Sequence, residues 1–595
     1  MMTFTTRPEL KGTYGMVAST HWMASAVGMR LLERGGNAFD AAAAMGFVLH
    51  VVEPHLNGPF GDMPALIRPA GASEPTVVCG QATAPAGATI THYKSEGLDM
   101  IPGSGLLATV IPGAFDAWML ILRDHGQLPL RDILEPAVHY ARSGHPMLPR
   151  VAATISGLAE FFRAEWPSSA QTWLPNGHAP AAQDLFCNPD FADMWERLLE
   201  EAECEKTRSG QIEAARRIFS KGFIAEAIDS YMQTACVMDA AGERRRGVLT
   251  GQDMANWQAS YEAPLSTKTN GLTVWKAGAW TQGPSLLQSI NILDGMEIDP
   301  ANTADFAHAV TEALKLSMAD REAYYGDPDF HDLPINHLLS KEYAAERRRQ
   351  IGLKASTLLR PGSLSGYETW ADAAVARSLK TNIPGPSMGA GEPTMAHLTE
   401  KRGDTVHIDV VDRWGNMISA TPSGGWLQSS PVIPGLGVPL NSRAQMFWLQ
   451  DGLATSLAPG HRPRTTLSPS MAEYEDGTKL AFGTPGGDQQ DQWQTIFLMR
   501  LLHQGMDLQA AIDAPLFHTA HLQASFYPRN LRAGHLTIEP SAGEDAIASL
   551  RARGHNVEVS DPWAIGRLSA VSHAPNGLMR GAATPRLMQA YAIGR

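Results

Sequence analysis

The sequence predicts an α/β protein in which helices enclose strands, a layered αββα sandwich. Three observations predict it. Residues from about 115 to 350 read as mainly helical, too long a stretch to be decoration, so helices must cover at least one sheet face. After residue 404 the pattern changes to short alternating strands, and helices return beyond 490. No period of 20–50 residues repeats, which sets aside solenoids and propellers. With 595 residues, two lobes or one large multilayer domain are expected.

Met16-Val17-Ala18 reads as a short strand. Thr20 or Ser25 can cap the following helix, whose Val27, Leu31 and Leu32 recur at helical spacing until Gly35-Gly36 stops it. Asn37 opens a second helix over 38–52, so rich in alanine that it must pack closely and be buried. Further helices are expected at 114–125, 131–143, 192–202, 223–233 and 303–325. Residues 354–404 are breaker-rich, with Pro361-Gly362 and Pro384-Gly385-Pro386. They read as a long, poorly ordered connection, and a run of that length signals function or processing. Residues 405–410 then alternate as a half-buried strand, Asp412 to Asn416 turns, and 417–421 returns, making a hairpin. Strands at 479–482 and 556–559 and helices at 492–503 and 542–553 complete the pattern.

Composition narrows the function. With 44% hydrophobic and 18% charged residues the chain is a soluble globular protein. A net charge of −13 supplies no basic stripe for nucleic acid. The runs Arg244-Arg245-Arg246 and Arg347-Arg348-Arg349 read as solvated helix ends. Four cysteines without a C-x-x-C pair carry no signal for zinc or dithiol chemistry and are expected to be reduced and mostly buried. Neither an H-E-x-x-H nor a Walker loop occurs, so no metal or nucleotide cofactor is expected. The first residues lack the apolar core of a signal peptide, and the longest apolar stretch, 41–52, is too short to span a bilayer. A cytoplasmic protein without a membrane partner is the expectation.

Several segments stand in one order along nearly the whole chain: Gly15-Met16-Val17-Ala18, Leu32 to Ala42 (LERGGNAFDAA), Val51-Val52-Glu53-Pro54-His55, Thr109 to Ala114 and Ala319 to Pro328. Thr405-Val406-His407, Arg462 to Pro469 (RPRTTLSP) and Gly483-Thr484-Pro485-Gly486-Gly487 follow. Each alone is weak; collinear, they strongly resemble the γ-glutamyltransferase family. The resemblance implies a four-layer αββα sandwich of the N-terminal-nucleophile hydrolase type, made as a precursor that cuts itself. Carried onto this chain, the processing site falls between Asp404 and Thr405, giving a large fragment 1–404 and a small fragment 405–595 that stay paired as a heterodimer. Thr405 becomes the nucleophile, Gly486 and Gly487 the oxyanion donors, and Ser423 a hydroxyl beside the nucleophile. Thr465 and Thr466 stand where family members hold the substrate carboxylate with a Ser-Ser pair. His407 lies on the same strand face as Thr405 and is either a participant or a satisfied core histidine.

Two departures bear on specificity. Gln81 replaces the arginine that pairs with a γ-glutamyl α-carboxylate, and Gln445 and Met446 stand where an aspartate holds the α-amine. A neutral amide lacks the bidentate, charge-assisted contact of arginine. The expected substrate is therefore a small-molecule amide other than ordinary glutathione, an acid recognised through Arg443, Arg464 or Thr465, with a surface role the alternative for Arg443. Two rivals remain. Gly385-Pro386-Ser387-Met388-Gly389 fits G-x-S-x-G, but prolines replace the strand and helix that a nucleophile elbow needs. A non-catalytic or differently specific paralogue that binds an acidic amide is the other.

Overall fold

The computed structural model describes residues 4–299, 301–383 and 405–595. Two seven-stranded sheets form its centre. In the first, the hairpin Ile408–Asp412 and Met417–Ala420 is flanked by Gly15–Ser19 and Ala65–Arg68, continuing to Thr76–Cys79 and Ser260–Glu262 on one side and Tyr591–Gly594 on the other. The second runs Leu10–Gly12, Met579–Ala583, Ser569–His573, Lys479–Gly483, Ser470–Tyr474, Leu272–Lys276 and Leu265–Thr269. All pairings in both sheets are antiparallel.

Strand alternation sends successive residues into different cores. Val17, Ile408, Val410, Ile418 and Ala420 join the helices Trp22–Glu33, Ala38–Val52 and Ala114–His125 in one core. Met16, Ala18, Val411, Met417, Met471, Ala481 and Val571 meet between the sheets. Val274, Leu480, Phe482 and Ala570 pack on Pro284–Leu293, Thr303–Tyr324 and Gln490–Gln504. Three cores between four layers make the αββα sandwich that the sequence predicts.

The helix Ala38–Val52 has the bounds expected of it and is buried along its whole length. Asn37 accepts from the Phe39 and Asp40 amides while Asp40 takes the Asn37 amide, a reciprocal cap. The preceding helix is capped by His21, not Thr20 or Ser25: its Nδ1 accepts from the Met23 amide, while Ser25 donates to the Tyr591 carbonyl.

Other expectations need correction. The 115–350 stretch holds three strands of the two central sheets, Ser260–Glu262, Leu265–Thr269 and Leu272–Lys276, and two small two-stranded sheets, as well as its helices. Within 354–404, read as poorly ordered, a helix Glu368–Thr381 buries Ala374 and Ser378; residues 384–404, including Asp404 and the Ser387 motif, lie outside the described residues. The strand expected from 405 begins at Ile408. Arg245 is no solvated helix end but a buried strand residue paired with Asp239 at 2.8 Å, and Arg347 is buried against Asp320 at 3.4 Å. Of the cysteines only Cys79 is buried; Cys187, Cys204 and Cys236 are exposed. Among the described residues no helix is long and apolar enough to cross a membrane.

Candidate active site

The hairpin turn places the site. Asp412 Oδ1 accepts from the Trp414 and Asn416 amides, and Gly415 supplies the left-handed φ of 88°. Its other oxygen accepts from the Ala38 amide at 2.9 Å, anchoring the hairpin to the start of the buried helix. Upstream, the pairing continues past the strand as a bridge between Thr405 and Ser423, with the Val406 amide donating to the Pro422 carbonyl.

Thr405 is fully buried. Its hydroxyl donates to Ser423 Oγ at 3.2 Å, and Gln490 Nε2 approaches the same hydroxyl at 3.5 Å. Ser423 is held by a two-way backbone pairing with Asp62, 3.0 Å and 2.9 Å. That approach needs Gly61, where a Cβ would stand 2.0 Å from the Ser423 carbonyl oxygen. His407 is a satisfied core residue: Nδ1 meets Thr421 Oγ1 and Nε2 meets Asp409 Oδ1, both at 2.9 Å, and the ring lies against Gly483 of the other sheet.

Gly486 and Gly487 follow the strand Lys479–Gly483 and precede the 15-residue helix Gln490–Gln504. Their φ values of 134° and 56° belong to glycine, and a Cβ on Gly486 would come within 2.3 Å of the Trp493 ring. Neither amide N–H finds an acceptor among the described residues. Two amides at a helix start, where the backbone dipole is positive, suit a developing oxyanion.

Thr465 and Thr466 are buried, and Thr465 Oγ1 accepts from the Leu467 amide at 3.4 Å. Arg443 is also buried, not a surface residue. Its guanidinium is committed to Asp62, with Nε 2.9 Å from Oδ2 and Nη2 3.0 Å from Oδ1. Burial raises the Asp62 carboxyl, while Arg443 and Thr465 act in the opposite direction. Gln81 is buried but turns its Nε2 to the Ala82 carbonyl at 3.2 Å, and among the described residues no hydrogen bond joins it to the other site residues. Gln445 accepts from the Tyr527 amide and donates to Ser442, and Met446 packs with Trp426 and Phe526.

Sequence reasoning missed Asp62, Gln490 and a buried polar platform beside Gln490. In the platform Lys276 Nζ lies 3.0 Å from Asp491 Oδ1 and 2.7 Å from Ser470 Oγ, and Ser468 Oγ donates to Asp491 at 2.7 Å. Burial lowers the Lys276 ammonium and raises the Asp491 carboxyl. The available signal was the run Asp488-Gln489-Gln490-Asp491-Gln492, polar where a buried helix should begin apolar.

The family model for gamma-glutamyltranspeptidase matches residues 24–594. The chain belongs to the gamma-glutamyltranspeptidase family. It is 30% identical over 582 residues to a glutathione hydrolase-like proenzyme of Bacillus subtilis (strain 168), covering 97% of each chain. The solved structure of LmbA2991T421A is similar over 100% of both chains, at 51% identity and a TM-score of 0.93. A cephalosporin acylase from Bacillus halodurans is 26% identical with a TM-score of 0.82, covering 100% of this chain and 98% of its own. The protein is thus an amidohydrolase or transferase of the gamma-glutamyltranspeptidase type, with the αββα fold of its structural relatives.

Proposed function

We propose that the chain cuts itself between Asp404 and Thr405 and that the new N-terminal threonine transfers acyl groups from amides other than ordinary γ-glutamyl donors. One observation carries the reading: the Thr405 hydroxyl is buried against Ser423 Oγ, with Gln490 reaching it from the helix that follows Gly486-Gly487.

Threonine is a poor nucleophile at neutral pH and needs a base beside it. In the precursor its nitrogen is an amide and cannot accept a proton. The hydroxyl adds to the Asp404 carbonyl, the C–N bond breaks, and the acyl group moves to oxygen while the nitrogen gains a proton. Water then opens the ester, freeing an α-amine whose reference pKa is about 7.7–8.0. That amine takes the hydroxyl proton as Oγ1 attacks a substrate amide, and returns it to the departing amine. Gly486 and Gly487 offer their N–H groups to the tetrahedral oxyanion, each worth about 3–4 kcal/mol. Water or an amine then takes the acyl group from the threonine ester.

Gln81, Gln445 and Met446 support a changed donor, since none supplies the charge that an α-amino acid head requires. The similarity to an acylase is in keeping with this. A denaturing gel with N-terminal sequencing tests the cut: two fragments, the smaller starting at Thr405, are expected, and one uncut catalytically silent chain would favour a binding paralogue instead. Turnover of γ-glutamyl-p-nitroanilide as efficient as that of a typical family member would overturn the specificity reading.

A further inference from the structure

One flank of the site carries more buried positive charge than its neighbours neutralise. Arg321, Arg377, Arg464 and Arg529 gather around two carboxylates, Glu322 and Asp488. Arg321 is engaged through Nη1 with Asp488 at 2.5 Å and Gln282 at 2.7 Å, and through Nη2 with the Gln523 carbonyl. Arg377 reaches Glu322 Oε1 at 2.9 Å, and Trp448 Nε1 donates to the same oxygen at 3.0 Å. Asp488 also accepts from the Ser525 hydroxyl and amide. Asp488 is therefore bonded through both oxygens, and Glu322 through Oε1.

Arg464 and Arg529 are not. Arg464 is 2% exposed; Nη2 meets Ser525 Oγ at 3.2 Å and lies 3.7 Å from Glu322, but Nε and Nη1 have no acceptor among the described residues. Arg529 is 1% exposed, and none of its three side-chain nitrogens has an acceptor among those residues; its guanidinium lies 4.0 Å over the Trp448 ring. Burial pulls Arg464 down to about 10 and Arg529 to about 9, so both remain charged at neutral pH. An uncompensated buried cation is strongly unfavourable, and Arg464 is linked to the glycine turn through Ser525, whose hydroxyl donates to Asp488. Arg464 directly precedes Thr465, and Asp488 directly follows Gly487.

We propose that Arg464 and Arg529 form the subsite for a free carboxylate on the acyl part of the donor, so that the substrate is a carboxyacyl amide without an α-ammonium group. The inference rests on the reading of Thr405 as the acyl-accepting nucleophile. Two guanidinium groups with open donors match a carboxylate. An ammonium finds no comparable site, because Glu322 and Asp488 stand among four arginines and Gln445 and Met446 are neutral.

The test uses the full processed protein, with free glutarate as probe and butyrate, L-glutamate and inorganic phosphate as comparison arms in calorimetry. Glutarate is expected to bind best, and Arg464→Gln and Arg529→Gln each to weaken it about 10- to 100-fold, the loss of a charged hydrogen bond. Arg529→Lys, which keeps the charge, should retain part of the affinity and serves if the glutamine variant does not fold. Glutarate binding no tighter than butyrate, L-glutamate or phosphate overturns the subsite, as does affinity unchanged in the variants. Glutaryl- and butyryl-p-nitroanilide separate this inference from the nucleophile it rests on. Glutarate binding without turnover of either amide breaks the nucleophile reading alone. Turnover of both at equal efficiency, without glutarate binding, sinks the subsite alone.

Discussion

Two groups of buried charge lie beside Thr465 and are built on opposite terms. On one side Asp62 and Arg443 form a matched pair, with two guanidinium–carboxylate contacts and the Asp62 backbone clamped to Ser423. On the other, Arg464 and Arg529 keep open donors beside acids that Arg321 and Arg377 already engage. The first arrangement has its charges matched and serves to hold the nucleophile's neighbour in place. The second is matched only when something else arrives. An arginine close to a reactive threonine is therefore not by itself a substrate anchor, and Arg443, singled out from sequence for that role, is held by Asp62.

The largest effect expected is the one both regions serve. Thr405→Ala should abolish both processing and turnover, leaving one full-length band on a denaturing gel. Thr405→Ser keeps a hydroxyl and should still yield two fragments. A Thr405→Ala protein that is still cut before residue 405 would remove the reference point for the comparison.

Next come the charge pairs themselves. Asp62→Ala leaves the Arg443 guanidinium buried without its carboxylate and should cost about 3–5 kcal/mol in denaturant unfolding. Removing both partners as Asp62→Ala/Arg443→Gln should recover much of that loss, a coupling read from the double-mutant cycle with Arg443→Gln. Additive losses would mean that the pair is not matched. Arg529→Gln removes a cation with no carboxylate partner and should destabilise far less than Asp62→Ala. An equal loss would erase the contrast between the two regions.

Much of the scaffold was legible because its signals are local. Asn37 and Asp40 announce the helix Ala38–Val52 three residues apart, and the turn around Gly415 announces the hairpin. What stayed hidden depends on partners far along the chain. Lys276 ends a strand that reads poorly because it carries a lysine, and that lysine is buried only because Asp491 meets it. Arg245 and Arg347 looked solvated for the same reason: Asp239 and Asp320 are what bring them inside. In the site, Thr405, Ser423, Gly486 and Gly487 were named through a family resemblance, while Asp62 and Gln490 needed coordinates, since no short spacing ties either to Thr405.

Smaller effects sharpen the picture of the reacting atoms. Gly486→Ala puts a methyl within 2.3 Å of the Trp493 ring at a φ of 134°, so the turn must shift and the amide directions with it. Rates should fall at least tenfold through kcat, with KM less affected, because the oxyanion exists only in the transition state. Gln490 should matter least. At 3.5 Å its contact with Thr405 is at the edge of a hydrogen bond, worth no more than about 1 kcal/mol, or roughly tenfold in rate. Its Oε1 also accepts from the Ser468 amide at 3.1 Å, so Gln490→Met should lower stability by about 1–3 kcal/mol by stranding that donor. Glutamate keeps an acceptor for Ser468 while removing the donor to Thr405. The buried carboxylate adds a desolvation cost of its own, so Gln490→Glu is read at the cut: it should slow it modestly, and a loss of processing as complete as that of Thr405→Ala in a folded protein would place Gln490 in the chemistry instead of beside it.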